Sequence, residues 1–182
     1  MTTSLILAFA IGMFAWTLAE YGMHRVLGHN AATRPNPFAT EHIRHHAEGD
    51  YFAPTWKKAG AAVVILPFVT ALVALGFGLD VGVPLGLGFV TMFVAYEVVH
   101  RRAHTHAGMG AYGRFLRRHH FHHHFGNPAC NHGVTSPLWD VVFGTYEPVT
   151  HIRVPAKLRM QWLVDPATGA VHDALADVYS LR

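Results

Sequence analysis

Sixteen of the 182 residues are histidine, more than the 11 aspartates and glutamates together. Most of them fall into boxes with helical spacing. His24 and His29 form an H-x-x-x-x-H, His42, His45 and His46 an H-x-x-H-H, and His100 and His104 an H-x-x-x-H. A dense run, His119-His120-Phe121-His122-His123-His124, closes the series. Residues three and four apart share a helix face, so His42, His45 and His46 aim their imidazoles one way, and so do His100 and His104. Residues five apart diverge on a regular α-helix, so His24 and His29 require the helix to end or distort near Gly28. The last run holds two overlapping H-x-x-H-H frames, His119/His122/His123 and His120/His123/His124, and spacing alone leaves both open.

Neutral imidazole suits zinc, copper, iron and nickel, whereas magnesium and calcium prefer oxygen. The boxes also echo one another. Glu20 to His29 reads E-x-x-x-H-R-x-x-x-H and Glu97 to His104 reads E-x-x-H-R-x-x-H, and each precedes an H-x-x-H-H box. Two half-sites of five histidines predict a two-metal centre. An iron pair can activate O2 for attack on an unactivated C–H bond, which side chains alone cannot do. Glu20 and Glu97 are candidates for orienting the imidazoles through hydrogen bonds, or are simple helix-end charges. His106, His119, His122 and His132 read as supporting or incidental. His151 and His172 read as surface residues, and Cys130 as a small filler. A single cysteine excludes an internal disulfide and a thiolate-rich metal site. The basic residues form no aromatic-interleaved stripe, so no nucleic-acid partner is expected.

The elements that must carry these boxes are apolar helices. Charged residues make up only 14% of the chain, against roughly 25% in soluble domains. Residues 1–19, 59–79 and 81–96 carry no charged side chain, and only Glu97 interrupts an apolar run reaching Val99. A spanning helix needs about 20 mostly apolar residues. The first segment has no basic leader and no cleavage site, so it reads as a retained anchor rather than a signal peptide. The second and third read as a transmembrane hairpin joined at Gly78, Leu79 and Asp80. All 14 Lys and Arg residues lie at 25–58 or beyond 100. Lys and Arg collect in cytoplasmic loops, which predicts that these regions and the C-terminus face the cytoplasm.

The expected fold class is therefore all-α: an integral, multi-pass membrane protein with about three transmembrane helices and a cytosolic histidine-rich helical cap. A single domain over residues 1–182 is expected, with spans at about 3–22, 59–79 and 81–99. The cap would occupy 24–58 and 100–147 and the tail 148–182. The tail holds a turn signal, Asp165-Pro166-Ala167-Thr168-Gly169, and no obvious chemistry.

At these boxes the sequence resembles the fatty acid hydroxylase superfamily, which includes fatty acyl and sphingolipid 2-hydroxylases, sterol C4-methyl oxidases and sterol desaturases. The resemblance covers residues 20–147. Glu20-Tyr21-Gly22-Met23-His24-Arg25 leading to His29 carries it, with Tyr96-Glu97-Val98-Val99-His100-Arg101 leading to His104. Its most specific part comes after the last box: Gly133-Val134-Thr135-Ser136-Pro137-Leu138-Trp139-Asp140, then Phe143-Gly144-Thr145-Tyr146. Beta-carotene ring hydroxylases have similar boxes but are less similar there.

The family's spacing selects His120, His123 and His124 from the dense run. The resemblance implies metal roles for these and for His24, His29, His42, His45, His46, His100 and His104, with no catalytic side chain beyond the ligands. It implies two metal ions, iron during turnover although zinc can occupy the ligands in isolated protein, and O2 as co-substrate. The implied substrate is a membrane lipid such as a fatty acyl chain or sterol. Many relatives have four spans, so three make this a short form lacking a leading helix. No cytochrome b5-like domain is fused on, which implies a separate electron donor: a cytochrome b5-like protein, a ferredoxin or a reductase. A desaturase would use the same site, taking a second hydrogen instead of inserting oxygen. A membrane metal-binding or transport protein is the reading from another class; transport predicts ligands inside the spans, whereas these boxes cluster outside them. The metal assignment predicts that His123→Ala lowers bound metal, measured by elemental analysis of the purified protein, while His172→Ala leaves it unchanged.

Overall fold

The computed structural model describes residues 2–182. Three of its helices are long and apolar enough to cross a membrane. Helix α1 spans Thr2–Gly22 and continues as a π-helix over Met23–His29. After a short 3-10 turn come α2 (Pro37–Glu48), α3 (Thr55–Phe77) and α4 (Leu79–Thr105). Helices α5 (Ala111–Phe125) and α6 (Leu138–Val142) follow. The tail adds two short strands, β1 (Ile152–Val154) and β2 (Tyr179–Leu181), paired in parallel with Ile152 opposite Tyr179.

The chain divides into two compact units, and α1 and α4 contribute to both. The first consists of residues up to Glu20 together with Ala53–Glu97. Within it, helices α1 and α4 approach closely because glycine lines the contact. A Cβ on Gly12 would lie 2.0 Å from the Leu85 carbonyl oxygen, and one on Gly88 would lie 2.0 Å from that of Phe9. Small residues of this kind let spanning helices pack backbone to backbone. Trp16 then sits among Phe89, Phe93 and Tyr96, with ring centroids 5.0–5.7 Å away. Helix α3 buries none of its side chains, and Leu75 and Val63 are 88% and 72% exposed. Such a surface is intolerable in water and suits lipid. Only Gly78, with φ at +87°, separates α3 from α4, so the predicted hairpin has a one-residue turn. Pro67 and Pro84 lie inside these helices, as spanning helices tolerate.

The second unit, Tyr21–Phe52 and Val98–Arg182, contains all ten box histidines. Helix α2 starts at Asn36, whose side chain accepts from the Ala39 N–H at 2.8 Å, and Pro37 occupies its first position. The Asn36 amide also donates to the Leu27 and Thr33 carbonyls, tying α2 to the end of the π-helix. Helix α5 buries Phe121 and Phe125 in a core completed by the tail residues Ile152, Val154, Met160, Leu163, Val164 and Tyr179. The Asp165–Gly169 turn forms as predicted, with the Gly169 N–H donating to Asp165 O at 2.7 Å. The all-α expectation holds for the body of the protein, and the two three-residue strands are a local addition in the tail. The Gly12 contact predicts that Gly12→Ala lowers the melting temperature in detergent by the equivalent of ~1–3 kcal/mol. Gly60 has nothing within 4 Å of its would-be Cβ, so Gly60→Ala should match or exceed the wild type in the same melt.

Candidate metal centre

Four elements bring the histidines together. The π-helix carries His24 and His29, α2 carries His42, His45 and His46, the end of α4 carries His100 and His104, and α5 carries His120, His123 and His124. The i→i+5 hydrogen bonding of a π-helix places residues five apart over one another. That is how His24 and His29 come to share a face, with ring centroids 5.2 Å apart. Gly28 makes this turn compatible with α2, since a Cβ there would approach the His42 ring to 2.9 Å.

The ten imidazoles form two groups of five. His24, His29, His42, His46 and His123 make one, and His45, His100, His104, His120 and His124 the other; within each, one ring nitrogen per residue lies within 4.8 Å of all the rest. The division into fives matches the two half-sites expected from the sequence, but membership crosses over. His45 joins the second group and His123 the first. The reason is angular: at 3.6 residues per turn, i and i+4 stand about 40° apart, while i+3 lies about 60° to the other side. In both H-x-x-H-H boxes the i and i+4 histidines stay together and the i+3 histidine turns to the other group. The groups touch where His46 stacks on His124, ring centroids 3.9 Å apart.

Backbone carbonyls orient three of the rings. His123 Nδ1 donates to Cys130 O at 2.7 Å, His45 Nδ1 to Tyr51 O at 2.6 Å, and His24 Nδ1 to His132 O. A carbonyl can only accept, so each Nδ1 carries the proton and each Nε2 presents its lone pair inward. Burial, followed by the neighbouring histidines, drives the pKa of His42, His120, His123 and His124 well below the ordinary value and that of His46 down to about 3. These rings are neutral at pH 7.

The donor set fits transition-metal ions. His29 Nε2 lies 2.8 Å from His42 Nε2 and 2.9 Å from His123 Nε2, while His45–His100 and His104–His120 are separated by 2.9 and 3.0 Å. One imidazole nitrogen cannot bond to two others at once, whereas two nitrogens at right angles around an ion about 2.1 Å from each stand about 3.0 Å apart. The buried Nε2 atoms of His24 and His46 and both ring nitrogens of His124 also have no hydrogen-bond partner, and a cation bound to the inward nitrogens would remove that cost.

Asp140 supports the first group from outside. It is fully buried and accepts hydrogen bonds from the His132 and Gly133 N–H groups and from Thr145, each at 2.8 Å, and from His119 Nε2 at 3.0 Å. Burial opposes its ionisation, yet these donors hold its pKa below the usual carboxylate value. Asp140 thus fixes the 132–133 backbone whose carbonyl holds His24. His119 therefore has a structural partner. His122 pairs with Glu147 at 3.3 Å, and His106, His151 and His172 are exposed. Glu97 pairs with Lys58, and Glu20 is buried. Spacing rules did not reveal the carbonyls of Tyr51, Cys130 and His132, which carry no side-chain signature. Asp140 did leave one, as the lone acid in the apolar stretch 137–146.

Apolar spanning helices joined to two pentahistidine groups define a membrane protein with a histidine-rich metal-binding cluster. The chain belongs to the fatty acid hydroxylase family, whose sequence profile matches residues 9–145. It is 31% identical to a ceramide very long chain fatty acid hydroxylase of Saccharomyces cerevisiae, over 76% of this chain and 37% of that protein. The corresponding Schizosaccharomyces pombe hydroxylase is 33% identical, over 78% and 42%. An Arabidopsis thaliana dihydroceramide fatty acyl 2-hydroxylase is 31% identical, over 75% and 59%. The chain thus spans about 37–59% of the length of these relatives. The solved structure of full-length scs7p, with only the hydroxylase domain visible, superposes with a TM-score of 0.62 at 30% identity, covering 79% of this chain and 56% of that one.

The depressed histidine pKa values have a consequence for stability. Between the unfolded value near 6.5 and the folded values, only the unfolded chain takes up protons. The metal-free protein should therefore lose stability progressively as pH falls from 7 towards 4, read as a falling melting temperature. A flat profile over that range would contradict the buried neutral rings.

Proposed function

We propose that this protein is an O2-dependent lipid hydroxylase in which the ten histidines hold two metal ions, iron in the working enzyme. The observation that carries the reading is the pair of convergent pentahistidine groups in a chain of the fatty acid hydroxylase family. Bound iron would supply the redox activation of O2 needed to attack an unactivated C–H bond. The protein's part is to bind and orient. His24, His29, His42, His46 and His123 would hold one ion and His45, His100, His104, His120 and His124 the other, and carbonyl-fixed tautomers present nitrogen lone pairs without rearrangement. Apolar rings limit water around the second group, where Phe52 packs 5.1–5.8 Å from His45, His100 and His104.

The names of the relatives favour a fatty acyl chain of a membrane lipid, reached from the bilayer. A separate electron donor would dock from the cytoplasm, the side to which the Lys and Arg distribution assigns the histidines. Lipid mass spectrometry of cells expressing the wild type and His123→Ala tests the reading. A lipid that gains one oxygen only with the wild type is expected. A lipid that loses two hydrogens would make the protein a desaturase. An unchanged lipid profile in a host supplied with acyl ceramide and reductant, with metal bound, would favour a non-catalytic metal-binding protein.

A further inference from the structure

Helix α6 has two chemically opposite faces. At 3.6 residues per turn Leu138, Val141 and Val142 fall within an arc of about 100°, and Asp140 lies opposite them. The exposures follow this division: Leu138, Val141 and Val142 are 40%, 59% and 57% exposed, and Asp140 is fully buried. Phe143, next in sequence, is 50% exposed. From Ser136 to Tyr146 the only ionisable acid or base besides the phenol of Tyr146 is Asp140, so the exposed face of the segment carries no charge.

The position of this face in the chain's own framework indicates what covers it. Phe143 stacks on Tyr21, ring centroids 5.3 Å apart at an interplanar angle of 16°, and Tyr21 shares a hydrogen bond of 3.0 Å with Thr145. Tyr21 belongs to α1, two positions beyond the uncharged stretch that ends at residue 19. The residues that follow α6 are therefore fixed to the turn of α1 that comes directly after its uncharged stretch. Trp139, between the two faces, is the residue type that favours the boundary between lipid and water.

We propose that α6 lies in the membrane interface, with Leu138, Val141 and Val142 inserted among lipid acyl chains, so that the cap is anchored to lipid through its own residues as well as through the spans. The same five-residue helix then faces lipid on one side and, through Asp140 and the His132 backbone, braces His24 on the other. The proposal depends on α1 crossing the membrane and is independent of the metal chemistry.

The test uses the full chain in lipid nanodiscs, in a Cys130→Ser background, with a nitroxide spin label introduced by Val141→Cys or, separately, Val142→Cys. Both positions are exposed, so labelling disturbs no core contact. Power saturation compares collision with O2, which concentrates in lipid, and with a neutral nickel chelate, which stays in water. Ile11→Cys in α1 and Lys157→Cys in the tail are the lipid and water references. The labels at 141 and 142 should match Ile11, with an oxygen-to-nickel ratio several-fold above that at Lys157. Nickel accessibility equal to that at Lys157 would overturn the proposal. Exclusion of both reagents would also overturn it, because protein, a second copy or another partner, would then cover the face. A water-accessible label at Ile11 would instead remove the membrane-spanning reading of α1, and the proposal with it.

Discussion

Ten imidazoles crowd into the cap as neutral rings, so that their nitrogens meet as lone pairs rather than as protons, and the rest of the fold serves that constraint. His46 and His124, for example, stack with centroids 3.9 Å apart and come from different groups of five. Burial depresses the pKa values, and the carbonyls of Cys130, Tyr51 and His132 decide which nitrogen carries the remaining proton. The carbonyls belong to irregular backbone, where a C=O is not committed to a helix ladder and is free to accept from a side chain. The loops beside the boxes are thus as necessary to the site as the helices that carry the histidines.

Helix α5 coordinates most of these demands. His120 and His124 face one group, His123 the other, His119 reaches Asp140, and Phe121 and Phe125 enter the core built by the tail. Every direction around the helix is assigned, which explains the density of the histidine run. The tail secures the neighbouring helix as well. Trp162 Nε1 donates to the His104 carbonyl at 2.9 Å, and Arg117 packs 4.1 Å over the Trp162 ring while donating to the His106 and Ala107 carbonyls. These donors occupy carbonyls at and just beyond the end of α4, where helical partners run out.

The spanning helices were legible in the sequence because lipid imposes a length and a polarity on every residue. The boxes were legible because helical spacing dictates shared faces. The crossover of His45 and His123 was not, since it depends on where two helices stand relative to two centres. The tail's strands were hidden because three-residue segments carry too little period to register. The distortion near Gly28 was foreseen from the five-residue spacing of His24 and His29. Its form, a full π-turn ending at His29, required the backbone.

That π-turn has a consequence for the two histidines that it carries. In an α-helix residues five apart stand about 140° apart, so a regular turn over Met23–His29 would send the two imidazoles to different sides of the chain. The wider turn brings their ring centroids to 5.2 Å. The helix then stops at once, with Asn30 in extended backbone. Met23–His29 therefore makes one metal-binding edge out of a spacing that an α-helix would scatter, and an α-helical turn there would part the two rings although every residue kept its place in the sequence.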